Sequence, residues 1–394
     1  MVEGALSSAG PISVIVTAYN RRQYLPYALR SLEAQTLPRD RFEVIVVKNF
    51  EDKESDEIIR RNGWKEVYSD EQWQGRFLLA GLEEAKGDII TFLEDDDMYR
   101  EVRLEKVYRG LGSHAMFYNL QQPIDANGRE IGVRLRPREP PRELEVSDAR
   151  EVVLYNLDFN ASSMAVQRRV AERARLDLVR KSVDTALAAA ALEAGSIRVV
   201  PERLTLYRVH SENTSATRGL TAEALARKYM EYYRDYMALR EATTSKVSRE
   251  LLDFRATYFG SILCLGRGIE GVEVKVRPLK AVWLRLRGWP VNRGAVLGSI
   301  LCLVPADLVR ALRLRRFLLP AGEEPGGSAV KAAKVLFVAP SPRRRVHQRR
   351  WAALNASVPG PSLGQPIKDR GGLQGRPWVP GPLCRQRGLP GAQR

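Results

Sequence analysis

The segment GDIITFLEDDDMY, residues 87–99, constrains the chain more than any other. Ile89 to Leu93 is a short, β-branched, apolar run opened by Gly87 and closed by acids, so it reads as a strand buried on both faces. Glu94, Asp95, Asp96 and Asp97 stand at its end. Four consecutive carboxylates on the rim of an apolar sheet repel one another and call for solvent or a cation. A hard divalent ion, Mg²⁺ or Mn²⁺, meets that need, held through one or two carboxylate oxygens with its other positions left to phosphate and water. An acidic turn or helix N-terminus is the alternative, because acids favour a first helical turn.

The residues before this strand repeat one alternation. ISVIVTAYN (12–20) and FEVIVVKNF (42–50) are buried-type strands, and a shorter one is expected around Val67. Between them Leu25, Ala28, Leu29 and Leu32 recur at helical spacing, Ile58 and Ile59 anchor an acidic helix, and Gly75 to Lys86 reads as a helix feeding the acidic strand. Strand–helix alternation predicts an α/β fold, a mostly parallel sheet with helices on both faces, whose ligands lie at the carboxyl ends of the strands. The TAYN loop and the acidic cluster both fall at such ends.

The chain has 394 residues, enough for one large or two medium domains. Its formal charge of +16 is uneven, since ten arginines, one lysine and one aspartate from Arg343 onward carry +10 of it. Cys264, Cys302 and Cys384 are odd in number and too far apart for a CxxC metal site, so we expect reduced thiols in a cytoplasmic setting. The first residues, MVEGALSSAGPIS, lack the basic and apolar regions of a signal peptide. No uncharged apolar run reaches the ~20 residues that cross a bilayer.

IVTAYNRRQYLPYALRSLEAQT, then EVIVV, then a GD-opened strand with an acidic cluster, resembles the nucleotide-sugar domain of family-2 glycosyltransferases, which have the Rossmann-like GT-A fold. The resemblance covers roughly residues 11–215. It implies an inverting sugar transfer from a nucleotide-diphosphate-sugar, with Thr17, Tyr19 and Asn20 around base and ribose. Aligning FLEDDDMY with the family's LDxDD pattern puts Glu94 at the first acid and Asp96 at the central one, so Glu94, Asp96 and Asp97 become metal candidates with Asp95 beside the substrate. Where the family usually has two aspartates after the second strand, this chain has Lys48 and Asn49. Asn49 can still read a uracil or guanine edge, which leaves the donor base open. Gly75, at the start of its helix, joins the substrate-binding candidates.

Further on, Gln121 to Arg150 is rich in Pro, Arg and Glu and reads as a surface excursion with a hairpin at Ala126-Asn127-Gly128. Asn160 to Ala174 reads as a short strand running into a helix. Asp184 precedes a long apolar helix. Ser182 or Asp184 at that point is a capping signal, whereas the resemblance implies that Asp184 is the general base on the acceptor hydroxyl. A carboxylate in that role contributes typically 10²–10⁴-fold. His210, after a short strand, is near the diphosphate or metal in relatives; a lone His is otherwise a structural hydrogen-bonding residue.

We divide the chain into a GT-A domain (1–218), a helical, basic region (219–320), and a linker with a disordered Arg/Pro/Gly-rich tail (321–394). KVLFVAPSP, Lys334 to Pro342, resembles the opening of another α/β domain that is truncated or out of frame. Tyr229, Tyr232, Tyr233 and Tyr236 at helical spacing read as a packing face. Residues 279–319 mix apolar runs with arginines, as in helices that lie on an anionic membrane surface or present a solvated bundle face. The expected acceptor is a glycan or lipid-linked hydroxyl or phosphate. No specific nucleic-acid partner is expected. The rival readings are a nucleotidyltransferase, which usually carries a Gly-rich basic loop absent from TAYNRRQYL, and a non-catalytic sugar- or lipid-binding protein, which would dispense with the acids.

Overall fold

The computed structural model describes residues 10–136, 138–210, 220–305 and 308–309. Strand and helix alternate as the patterning predicts: β1 (Ile12–Ala18), α1 (Leu25–Glu33), β2 (Phe42–Lys48), α2 (Lys53–Arg61), β3 (Lys65–Tyr68), α3 (Gln74–Glu84) and β4 (Ile89–Glu94). These four strands are parallel, in spatial order β3-β2-β1-β4. Successive residues point to opposite faces of a strand, and in β1 both faces are covered. Val14 and Val16 meet α1 and α2 residues such as Leu29 and Ile58, whereas Ile15 meets Phe77 and Leu78 of α3 on the other side.

The second half of the sheet departs from the expected parallel order. After β5 (Met98–Tyr99) and α4 (Arg103–Gly110) come β6 (Met116–Ile124), β7 (Leu144–Val146), α5 (Ala149–Tyr155), β8 (Met164–Gln167), α6 (Arg168–Arg173), α7 (Val183–Ala194) and β9 (Ile197–Arg208). β8 inserts antiparallel between β4 and β6, β9 lies parallel to β6, and β5 and β7 pair antiparallel with β9. The sheet therefore continues past β4 and carries the end of β9 back to the acidic cluster.

The segment 121–150 is less of an excursion than its composition suggests. Its start is the end of β6, β7 lies within it, and buried Arg136 donates to Gln121 and to the Tyr118 hydroxyl. The turn at 125–129 forms as expected, with Gly128 at φ 81° and the Asp125 N–H donating to Arg129 O.

Helices α8 (Ala222–Ala242), α9 (Lys246–Leu263), α10 (Lys280–Leu286) and α11 (Arg293–Leu301) follow. Thr221, Ser245 and Asn292 cap α8, α9 and α11 by accepting from backbone N–H groups. The tyrosine stripe on α8 is a packing face, with Tyr229, Tyr232 and Tyr236 against Phe259 of α9. α9 in turn packs against α5 and α7.

The expectation of reduced thiols is corrected for two cysteines. Cys264 and Cys302 form a disulfide, their Cα atoms 5.5 Å apart, that ties the end of α9 to the end of α11. Far apart in sequence, they meet because α9 and α11 pack together. Among the described residues, no helix is long and apolar enough to cross a membrane. Ser215, residues 310–319 and everything proposed for 321–394 lie outside the described residues.

Candidate active site

The loops at the carboxyl ends of β1, β3 and β4 meet α3 and the N-terminus of α7. They surround a cavity of about 360 Å³ whose lining includes Thr17, Tyr19, Asn20 and Arg21 after β1, Glu71 and Gln72 after β3, Phe77 and Leu78 from α3, Glu94 and Asp95 at the end of β4, and Lys181 and Val183 at the start of α7. That volume suits a small ligand.

At the β1 end, Tyr19 is exposed and packs edge-on to Phe77 with ring centroids 5.6 Å apart. Asn20 takes a left-handed conformation, φ 56°, which Asn tolerates better than most residues. Its N–H donates to Asn49 Oδ1 (2.8 Å) and the Asn49 amide donates back to Asn20 Oδ1 (2.9 Å), so the two strand ends are locked together. Lys48 turns away. Its buried amine donates to Phe50 O at 2.9 Å and pairs with Glu66 at 2.7 Å and Asp56 at 3.0 Å. Gly75 is not among the cavity-lining residues. A side chain there would strike Leu176 O, so this glycine serves the close approach of α3 to the backbone before α7.

The acids at the end of β4 divide into two sets. Glu94, Asp96 and Asp97 each offer a carboxylate oxygen, all within 4.8 Å of one another. Three hard oxygen donors at that spacing fit Mg²⁺ or Mn²⁺. Burial, and then the neighbouring carboxylates, raise Glu94 well above the usual carboxylate range and Asp97 to about 7. Both shifts express burial of the carboxylates first and their crowding second. Asp95 stands apart, because its carboxylate receives Arg21 Nε at 2.9 Å and a second bond from Nη2. Arg21 Nη1 also reaches Asp96 Oδ2 at 3.0 Å, and His210 Nε2 lies 2.9 Å from that same oxygen.

Asn160 joins this cluster to Asp184. It is left-handed at φ 66°, and its side-chain amide donates to Asp97 Oδ2 (2.7 Å) while its backbone N–H donates to Asp184 Oδ2 (3.2 Å). Such backbone strain collects at functional sites. Asp184 lies inside the first turn of α7 rather than at its cap position, and it also accepts from Thr185 N at 2.9 Å. Burial first, and then the charge of Asp158, push Asp184 up to about 7. Asp158 is itself buried and held by two bonds from Arg255 of α9 and one from Thr185 Oγ1.

Arg21, Asn160 and the Asp158–Arg255 pair are the residues that sequence reasoning missed. The Arg-Arg step after TAYN and an Asn before Ala-Ser-Ser carry weak local signals, and Arg255 carries none. The other candidates converge. Thr17, Tyr19, Asn20, Glu94 and Asp95 face the cavity, Asn49 buttresses Asn20, and Asp96, Asp97, Asp184 and His210 join the same network.

The description "Glycosyl transferase family 2" matches residues 13–175. Residues 13–175 thus carry a family-2 glycosyltransferase domain. The chain is a glycosyltransferase; its acids at the end of β4 lie inside the matched segment, and Asp184, in the first turn of α7, lies just beyond it. An uncharacterized glycosyltransferase of Nostoc sp. is 23% identical over 333 residues, covering 79% of this chain and 95% of that protein. Another, of Haemophilus influenzae, is 34% identical over 101 residues, covering 24% of this chain and 33% of the relative. Staphylococcus aureus TarS, a poly(ribitol-phosphate) beta-N-acetylglucosaminyltransferase, is 25% identical over 150 residues, 36% of this chain and 25% of TarS. Among solved structures, TarS 1–349 with UDP-GlcNAc superposes with a TM-score of 0.49 at 17% identity, covering 78% of this chain and 89% of the other. The Pyrobaculum calidifontis mannosyltransferase PcManGT with GDP-Man and Mn²⁺ gives 0.47 at 16% identity, covering 79% and 86%.

Proposed function

We propose that this glycosyltransferase inverts the anomeric centre as it moves a sugar from a nucleotide-diphosphate-sugar to an acceptor hydroxyl or phosphate, glycan or lipid-linked. The observation that carries the reading is the joining of Asp97 to Asp184 through Asn160. It ties the convergent carboxylates to a second acid whose pKa suits a general base near neutrality.

In this reading Thr17, Tyr19 and the Asn20–Asn49 lock receive the base and ribose, and Glu94, Asp96 and Asp97 hold Mg²⁺ or Mn²⁺. When bound, the ion would offset charge on the departing nucleoside diphosphate. Asp184 takes the proton from the acceptor as its oxygen attacks, and Asn160 and Thr185 hold the carboxylate in place. A single displacement needs no protein nucleophile. We take 1–218 as the transferase domain and 219–320 as a basic helical region.

We also propose peripheral membrane contact through the described part of 279–319. Leu279, Trp283 and Leu286 are exposed at i, i+4 and i+7 along α10, and no acid interrupts residues 274–306. Wild-type chain should co-sediment with anionic vesicles, and Leu286→Ser should weaken this; equal sedimentation with neutral vesicles would refute it.

The main test is incubation with a panel of nucleotide-sugars and Mn²⁺. Release of nucleoside diphosphate, abolished in Asp96→Ala, supports the reading. Release of pyrophosphate would favour a nucleotidyltransferase, and donor binding without turnover a non-catalytic protein.

A further inference from the structure

The acidic cluster already contains a cation supplied by the chain. Arg21 is anchored on Asp95 through Nε and Nη2, a two-pronged contact that guanidinium geometry favours. Asp95 is not one of the three converging ligands, and its backbone N–H donates to Thr17 O, which fixes it to the end of β1. The anchor therefore does not depend on Asp96. The contact between Nη1 and Asp96 Oδ2, 3.0 Å, is a separate ion pair with an oxygen that His210 also approaches. It can break while the fork on Asp95 stays whole.

We propose that Arg21 is a two-position latch that holds Asp96 when the site is empty and turns the same nitrogen to a phosphate oxygen when a metal-bound diphosphate enters, making metal and donor binding cooperative. This rests on the transferase reading. A divalent ion entering alone must take Asp96 from Arg21 and then sit beside a guanidinium that keeps only Asp95 as its partner, a like-charge contact. With a diphosphate present, both losses are repaired. Asp96 exchanges the guanidinium for the ion, and Arg21 Nη1 exchanges a carboxylate oxygen for a phosphate oxygen, again a charged acceptor. Arg21 and Asp95 both line the cavity, the space this reading assigns to the diphosphate. The ion need not move Arg21 away; it only changes the partner of one nitrogen.

The test is Mn²⁺ binding, read from the electron paramagnetic resonance signal of the free ion, with and without UDP or GDP. In the wild type, the diphosphate that binds should tighten Mn²⁺ about tenfold or more, a usual size for coupling between sites. In Arg21→Ala, Mn²⁺ alone should bind more tightly than to wild type and the coupling should shrink toward none. Arg21→Lys keeps a positive charge for folding but cannot hold Asp95 and a phosphate together, so it too should lose most of the coupling. Wild-type coupling near unity, or coupling unchanged in both variants, overturns the latch while leaving the transferase reading intact. Binding of Mn²⁺ with neither diphosphate binding under any condition overturns both.

Discussion

Replacing Asp184 by Asn should stop catalysis and stabilise the protein, with the stabilisation growing as pH rises. A carboxyl held at about 7 instead of the 3.8 of a free aspartate costs the folded state up to about 4 kcal/mol once the pH exceeds 7. Because the folded value is raised, this group's contribution is fully favourable below about pH 4 and is lost as pH climbs through about 7. The amide introduced by Asp184→Asn would not titrate, so that loss disappears. It also gives up one of the two N–H bonds that Asp184 accepts from Asn160 and Thr185, a cost of about 1–3 kcal/mol. That cost is largely common to all pH values and cancels when two are compared. Between pH 5.5 and 8.5 the variant should therefore gain about 1–2 kcal/mol on the wild type, allowing for the surface Asp184 keeps. Urea unfolding of both proteins in EDTA at the two pH values measures this, and turnover with saturating donor should fall by about 10²–10⁴ while nucleoside diphosphate affinity holds. A stability difference independent of pH, or retained turnover, would refute the assignment of Asp184 as a buried base.

Three other perturbations follow from the same network. Arg255→Met leaves Asp158 charged and buried without its partner, so urea unfolding should show a loss of about 3–5 kcal/mol, and the acid limb of the kcat profile should move to higher pH because Asp158 then acts on Asp184 unopposed. A loss below about 1 kcal/mol would mean the pair is solvated. Reducing the Cys264–Cys302 disulfide, which spans 38 residues of sequence, should destabilise the helical region by about 4 kcal/mol on loop-closure grounds; melting curves identical with and without reductant would count against it. Asn160→Gly accommodates the left-handed backbone but removes the amide bond to Asp97, so Mn²⁺ affinity should drop by about 10–100-fold with little change in Tm, and an unchanged Mn²⁺ affinity would show that Asn160 is not needed to orient the ligand.

What could be read from the residues alone, and what could not, divides along a physical line. The strands from Ile12, Phe42 and Ile89 were legible because each is buried on both faces, which demands uninterrupted apolar runs bounded by polar loops. The antiparallel insertion of β8 between β4 and β6 was not, because Met164–Gln167 is only four residues long and its pairing depends on partners over forty positions away. At the site, the requirement for positive charge was legible in Glu94 to Asp97, and an external ion was the natural supplier. The chain's own contribution was hidden: Arg21 lies 74 residues before Asp95 and meets it only because β1 and β4 are adjacent and end in register, Thr17 opposite Glu94. Asp184 was ambiguous between cap and base for a related reason. A carboxylate that caps a helix and one that takes a proton look alike in sequence, and they differ in what else is buried beside them. Here the neighbour is Asp158, whose charge raises Asp184, held by an arginine from α9 that partly offsets it. The helical region after residue 219 thus bears on the chemistry through one buried side chain, and substitutions at Arg255 should alter the pH dependence of a reaction whose reacting atoms they never touch.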